Sequence, residues 1–190
     1  MTEAIKNIVS RNSSKTLIMP HPTPKEMEIV YNAALRAPDH AWLHPSRYIE
    51  IKGSGLDRLS RIFEDYIENN IENIDDAILD RYRNAPYRAP MVIVAITKTQ
   101  DHPKVPKLEQ MLSTAASIQN ILLSLNALKY GSIWRTGPLA LNEEIVKYFN
   151  LDKNHRILGY IYVGTAKGKP KKIPKLNIDD FVTTWHSDNS

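Results

Sequence analysis

The sequence predicts one domain of mixed helices and strands, and three observations carry that expectation. At 190 residues the chain can bury a full-sized core, and neither an internal repeat nor a linker divides it. The apolar runs at 91–96 and 156–163 read as strands covered on both faces. Between them, residues 109–128 form the longest helical pattern. Met111, Leu112, Ala115, Ala116, Ile118, Ile121, Leu122 and Leu125 cover so much of its circumference that it is expected to be central. Residues 1–190 are read as a single α/β domain.

The remaining elements follow in order. Ile5, Ile8 and Val9 recur at helical spacing within residues 2–10, and the polar, cationic stretch Arg11-Asn12-Ser13-Ser14-Lys15 breaks that pattern. Thr23-Pro24-Lys25-Glu26 is a helix start, with Thr23 as N-cap, proline in the first turn and Glu26 at the capping-box position. Met27, Val30, Tyr31, Ala34 and Leu35 continue that helix toward Ala37. Ile49 and Ile51 alternate with Glu50 and Lys52, as in a half-buried strand.

Leu56, Leu59, Ile62, Phe63, Tyr66 and Ile67 mark an amphipathic helix. Residues 75–83 form a shorter one, acidic first and basic last, as the helix dipole favours. Gly131-Ser132-Ile133-Trp134-Arg135-Thr136-Gly137 reads as a short strand opening into a turn, and Asn142 can cap a helix reaching Phe149. A lysine run and an acidic, aromatic tail close the chain.

Composition excludes several function classes. The chain has no cysteine, which removes disulfides, thiol catalysis and thiolate metal sites and fits a reducing cytoplasm, the compartment expected for it. No apolar run approaches the ~20 residues that span a bilayer, and the N-terminus lacks a signal-peptide core, so no membrane partner is expected. The net charge of +4 is local. Lys167, Lys169, Lys171, Lys172 and Lys175 share one acid-free run, and the other 20 Lys and Arg fall one short of the 21 acids. A nucleic-acid binder shows a broader basic stripe, whereas a concentrated patch suits a single phosphate or a solvated tail.

Gly53-Ser54-Gly55 joins a strand to a helix, but Arg58 takes the place of the third glycine of a dinucleotide fingerprint, so the segment is a turn. His40 and His44 are spaced like a helical zinc pair, yet no Glu follows His40 and prolines flank them; no metal is expected. No Gly-x-Ser-x-Gly elbow is present. The segment Arg36-Ala37-Pro38-Asp39-His40, followed by Ala41-Trp42-Leu43-His44-Pro45-Ser46, puts polar and aromatic groups in a proline-braced loop at a helix end. Alone it reads as a helix-terminating turn with locally satisfied side chains, or as a ligand-contacting loop. With Arg11, Ser13, Lys15, Trp134, Arg135, Thr136 and the late lysines, it could supply the cations, hydroxyls and aromatic surface that a phosphorylated planar cofactor requires, while the arginines read equally as surface residues and Trp134 as core.

In this order the motifs resemble the nitroreductase family of FMN-dependent reductases, in its small branch. The resemblance rests on Arg11-x-Ser13-x-Lys15, Arg36-Ala37-Pro38-Asp39-His40 and Asn84-Ala85-Pro86-Tyr87-Arg88-Ala89-Pro90, then Lys104-Val105-Pro106 with Glu109. The 131–137 segment, Gly159-Tyr160-Ile161-Tyr162-Val163-Gly164-Thr165 and Phe181-Val182-Thr183 complete it. It implies an α+β three-layer sandwich, a mainly antiparallel sheet flanked by helices with the long central helix at a subunit interface. It also implies a homodimer with two FMN sites between the subunits.

By that resemblance Arg11, Asn12 and Ser13 bind FMN, Arg11 near the phosphate, and Lys15 lies by the ribityl chain or pyrimidine edge. Arg36 and His40 reach the cofactor from the partner chain. Trp134, Arg135, Thr136 and Gly137 line the flavin, and Lys169 is the late basic residue for the phosphate. The implied activity is hydride transfer from NAD(P)H through bound FMN to a nitroaromatic, quinone or similar electron-poor small molecule, with no obligatory catalytic side chain. The alternative is an FMN carrier or sensor with little such activity. Three departures bear on that choice: Asn12 replaces a second basic residue, Lys129 stands where glycine is usual, and His44-Pro45-Ser46-Arg47 replaces Gln-Pro-Trp.

Overall fold

The computed structural model describes residues 1–185. The helices are α1 (Glu3–Ser10), α2 (Pro24–Ala34), α3 (Gly55–Asn70), α4 (Asp76–Arg83), α5 (Lys107–Ala127) and α6 (Ile145–Tyr148). The strands are β1 (Leu17–Ile18), β2 (Ser46–Lys52), β3 (Met91–Lys98), β4 (Gly131–Arg135) and β5 (His155–Ala166). Single 3₁₀ turns cover His40–Trp42, Pro86–Arg88 and Ile178–Asp180.

Every strand pair is antiparallel. The sheet runs β1-β5-β3-β2, and β4 also pairs with β5. β1 and β4 both pair with the later half of β5, Leu17 opposite Ala166 and Gly131 opposite Gly164. The alternation of β3 explains the layering. Val92, Val94 and Ile96 join Leu59, Phe63 and Ile67 of α3 in one core. Met91, Ile93 and Ala95 join Met27 and Val30 of α2 and Ile118, Ile121 and Leu125 of α5 in the other. Burying both faces is why the strand's sequence is a continuous apolar run. The arrangement is the α+β three-layer sandwich that the sequence resemblance implies.

Element ends follow local chemistry. Thr23 and Glu26 form the reciprocal capping box, and Pro24 opens the helix. α2 stops at Ala34, three residues before the expected end. α6 is a single turn that begins at Ile145; Asn142 acts just before it, its Oδ1 accepting the Glu144 N–H at 2.8 Å. α5 presents one face to the sheet through Gln110, Thr114, Ser117, Ile118, Ile121, Leu122 and Leu125. Its opposite side leaves Leu108 and Leu112 64% and 59% exposed, so within one chain the helix is covered on one side only.

α5 ends in a Schellman motif. The Tyr130 N–H reaches the Leu125 carbonyl at 2.9 Å, and the Lys129 N–H reaches that of Asn126 at 3.0 Å. Lys129 carries the left-handed conformation at φ +67°, where glycine is the usual residue.

Candidate functional site

The Arg11–Lys15 loop is held at the C-terminal end of α5 by amide side chains. Asn7 donates to the Leu123 carbonyl at 2.9 Å. Asn126 in turn donates to the Asn7 side-chain and main-chain oxygens at 2.7 and 3.1 Å. The loop then runs along β4, where Ser13 bridges to Ser132 and the Ser14 N–H donates to the Ser132 carbonyl at 3.0 Å. The Arg11 guanidinium donates to Ser13 Oγ at 3.4 Å, and Asn12 donates to the Lys171 carbonyl at 2.6 Å. Asn12 thereby ties the late lysine segment over the loop.

A cleft of about 940 Å³ opens there, lined by Asn12, Ser13, Lys15, Lys129, Lys167 and Lys169 among others. Within salt-bridge distance, no carboxylate among the described residues reaches these four lysines. Unpaired cations facing a shared space favour an anion there. The loop and Lys169, far apart in sequence, are thus adjacent to one cleft, while Arg11 is half-buried beside it.

The other end of β4 holds a second cavity of about 380 Å³, lined by Trp134, Arg135, Thr136 and Gly137 together with Tyr82, Arg88, Tyr160 and Tyr162. Successive side chains take opposite faces of the sheet. Trp134 packs against the α2–α5 core, and its indole N–H donates to the Leu158 carbonyl at 3.1 Å. Gly159 makes that possible. At φ +145°, a Cβ there would lie 2.5 Å from the Arg135 carbonyl and press on the indole. Arg135 takes the opposite face, with its guanidinium 5.7 Å from the Tyr162 ring centre. Its Nε is buried and has no hydrogen-bond partner. Burial pushes the Tyr162 hydroxyl up to about 12, and the charges of Arg88 and Arg135 pull it back only in part.

Arg36 and His40 lie elsewhere. Arg36 is exposed just past α2. Asp39 organises the turn after it, its carboxylate accepting the Leu43 and His44 N–H groups at 3.2 and 2.7 Å. Ala41, Trp42 and His44 all have φ between 48° and 60°, which non-glycine residues rarely adopt. His40 Nδ1 sits 2.7 Å from the Glu109 carboxylate in the first turn of α5. Seventeen residues separate Glu109 from Asn126. At about 1.5 Å per residue, that is roughly 25 Å of helix between the His40 turn and the Arg11 loop. Within one chain the structure joins Arg11–Lys15 to β4 and to Lys169, and holds Arg36 and His40 apart from them.

No group of three potential metal ligands occurs among the described residues. Gly53, at φ +54°, belongs to the turn before α3, as the sequence suggests. The site reading missed Arg88 and Tyr162. Both lie in motifs visible in the sequence, but only the fold brings them to the lining of one cavity with Arg135.

This sandwich, with cationic space at both ends of an edge strand, defines a chain of the nitroreductase family. The family profile matches residues 8–165, and the chain belongs to that family. Among its relatives is YdjA of Escherichia coli (strain K12), which carries the name of an NAD(P)H nitroreductase. The two are 31% identical over 185 residues, covering 95% of this chain and 98% of YdjA. Among solved structures, a nitroreductase-like family protein from Bacillus cereus superimposes with a TM-score of 0.84 at 20% identity, over 98% of both chains. A nitroreductase from Bacteroides fragilis, solved with bound FMN, gives 0.75 at 18% identity, over 98% of this chain and all of that one.

Proposed function

We propose that the protein is an FMN-dependent oxidoreductase that takes hydride from NAD(P)H and passes reducing equivalents to a flat, electron-poor small molecule such as a nitroaromatic or quinone. The observation that carries this reading is the buried, unpartnered Arg135 Nε at one end of β4, with the unpaired lysine cleft at the other. A buried donor without an acceptor is costly. A planar cofactor with a phosphate tail, laid along β4, would answer both features. The residues present fit FMN. Arg11, Ser13 and Lys169 would hold its phosphate, Lys15 its middle, and Arg135, Thr136 and Gly137 its ring system. Bound FMN would supply the hydride chemistry, and the protein charge, orientation and shelter from water.

The same reading makes the working unit a cytoplasmic homodimer. Exposed apolar side chains on α1 (Ile5, Ile8, Val9), on α5 (Leu108, Leu112) and along the tail (Leu176, Ile178, Phe181) are the surface such a pairing would cover. The roughly 25 Å along α5 that separates the His40 turn from the Arg11 loop supports antiparallel pairing of two copies. Such pairing would bring Arg36 and His40 of the partner chain to the flavin.

An absorbance spectrum of the purified protein tests the cofactor directly through the flavin bands. Arg11→Ala with Arg135→Ala is expected to leave the protein colourless, and full flavin occupancy in that double variant would sink the assignment. Stopped-flow mixing with NADPH is expected to bleach the flavin band; no bleaching would leave an FMN carrier.

A further inference from the structure

The turn after α2 is strained and yet firmly held. Ala41, Trp42 and His44 adopt left-handed conformations at φ 60°, 55° and 48°, which are costly for residues with a Cβ. Inside the turn, the Asp39 carboxylate accepts the Leu43 and His44 N–H groups, and the Asp39 carbonyl accepts the Trp42 N–H at 3.3 Å. From the loop before α5, the Gln100 side chain donates to the Leu43 carbonyl at 3.2 Å. Gln100 is itself locked by the buried Gln110, which accepts its N–H at 3.0 Å and donates to its carbonyl at 2.9 Å. From the start of β2, Arg47 donates to the His44 and Ser46 carbonyls at 2.6 and 2.8 Å.

What this scaffold displays is an indole. Trp42 is 78% exposed and belongs to neither core. Its aromatic neighbour is the His44 ring, edge-on at 6.3 Å and 71°. Trp134, by contrast, packs in a core with its N–H satisfied. A large apolar ring left in water stabilises nothing within its own chain. Backbone strain held by surrounding contacts clusters at ligand clamps and active sites. An aromatic ring on a rigid turn has lost its freedom before anything binds, so contact with it costs little further entropy.

We propose that Trp42 is the wall against which a flat, electron-poor acceptor lies, and that it sets a preference for aromatic over non-planar acceptors. This rests on the function and pairing proposed above, which bring the His40 turn to the flavin of the partner chain. The indole face is electron-rich, so a ring depleted by a nitro group or by quinone carbonyls stacks on it with an offset. Trp42 is none of the residues assigned to the cofactor, so the acceptor wall and flavin binding can be tested apart.

Equilibrium dialysis of the FMN-loaded protein, without NAD(P)H, against nitrobenzene and nitrocyclohexane is that test. The probes share a nitro group and a ring, and only one ring is flat. Wild type binds nitrobenzene about fivefold tighter, a preference worth about 1 kcal/mol by the affinity relation. Trp42→Leu removes the preference by weakening nitrobenzene alone, and Trp42→Phe keeps most of it. In turnover the same loss falls on the KM of the aromatic acceptor rather than on kcat.

Light scattering and flavin absorbance are read on every variant. A Trp42→Leu protein that has become monomeric or lost its flavin makes the residue a subunit anchor and overturns the proposal. Equal affinities in a yellow, dimeric wild type overturn it too, as does a preference that survives leucine. If leucine lowers the melting midpoint, Trp42→Met is judged by the same criteria. A wild type that takes up no added FMN removes the function proposed above and this wall with it, whereas equal affinities in a yellow protein remove the wall alone.

Discussion

At the scale of single residues, Gly159 shows how backbone sets a side chain. The register between β3 and β5 shifts between Ala95 and Ile96, opposite Gly159 and Ile157, so the strand bulges there. The Trp134 indole fills the space a Cβ would claim. Gly159→Ala is expected to cost about 3 kcal/mol through overpacking and strain. A lowered thermal midpoint, together with an altered Trp134 fluorescence maximum, checks it. Gly159 stood in one of the motifs, but neither its packing role nor the inward turn of Trp134 was legible in the sequence. A tryptophan beside an arginine reads equally as ligand platform or core, and only strand alternation in the folded sheet puts the two on opposite faces. Arg11, Ser13 and Lys15 were legible as a cationic break, and Lys169 as part of a lysine run. The cleft that Ser13, Lys15 and Lys169 share depends on pairing between Ser13 and Ser132, which no local pattern announces.

At the scale of elements, the capping box of α2 links structure to pH. The Thr23 N–H and hydroxyl hold the Glu26 carboxyl below its ordinary value of 4.5. A carboxyl whose value is lowered by folding adds stability above its unfolded value and loses it as pH falls through the folded one. Acidification below about 4.5 is therefore expected to release this contribution. Thr23→Ala is expected to lower stability by about 1 kcal/mol at neutral pH and to flatten the acid side of the stability profile. Melting curves between pH 3 and 7, wild type against variant, read both effects.

α1 depends on α5 in a similar local way. Asn126→Ala removes both bonds to Asn7 and is expected to cost about 1–2 kcal/mol. Faster amide exchange in residues 3–15 than in the sheet is the accompanying sign. The start of α2 was plain from Thr23, Pro24 and Glu26, because capping is local chemistry. β1 was not, since two residues paired to the end of β5 carry no periodicity. α6 came out shorter than Asn142 suggested because its side chain satisfies Glu144 before the helix begins.

At the scale of the whole molecule, the three layers were expected from the resemblance and from the buried strands at 91–96 and 156–163. The helical pattern of α5 did not by itself announce an exposed side, because apolar residues around a helix look alike whether the chain or a partner covers them; only the resemblance placed that helix at a subunit interface. Leu112→Glu places a charge on that side without touching the sheet. In the homodimer proposed above, it is expected to yield monomers that have lost most of their flavin. Light scattering and flavin absorbance on the same sample measure this, and a monomer with full flavin content would remove Arg36 and His40 from the site.

The length of α5 carries a further consequence, one of time. If the two ends of this rod serve different copies of the same site, bound flavin is enclosed by a contact between chains, and its escape waits on their separation. Cofactor loss on dilution would then be timed by subunit exchange, and the flavin and a labelled subunit would leave with the same half-life.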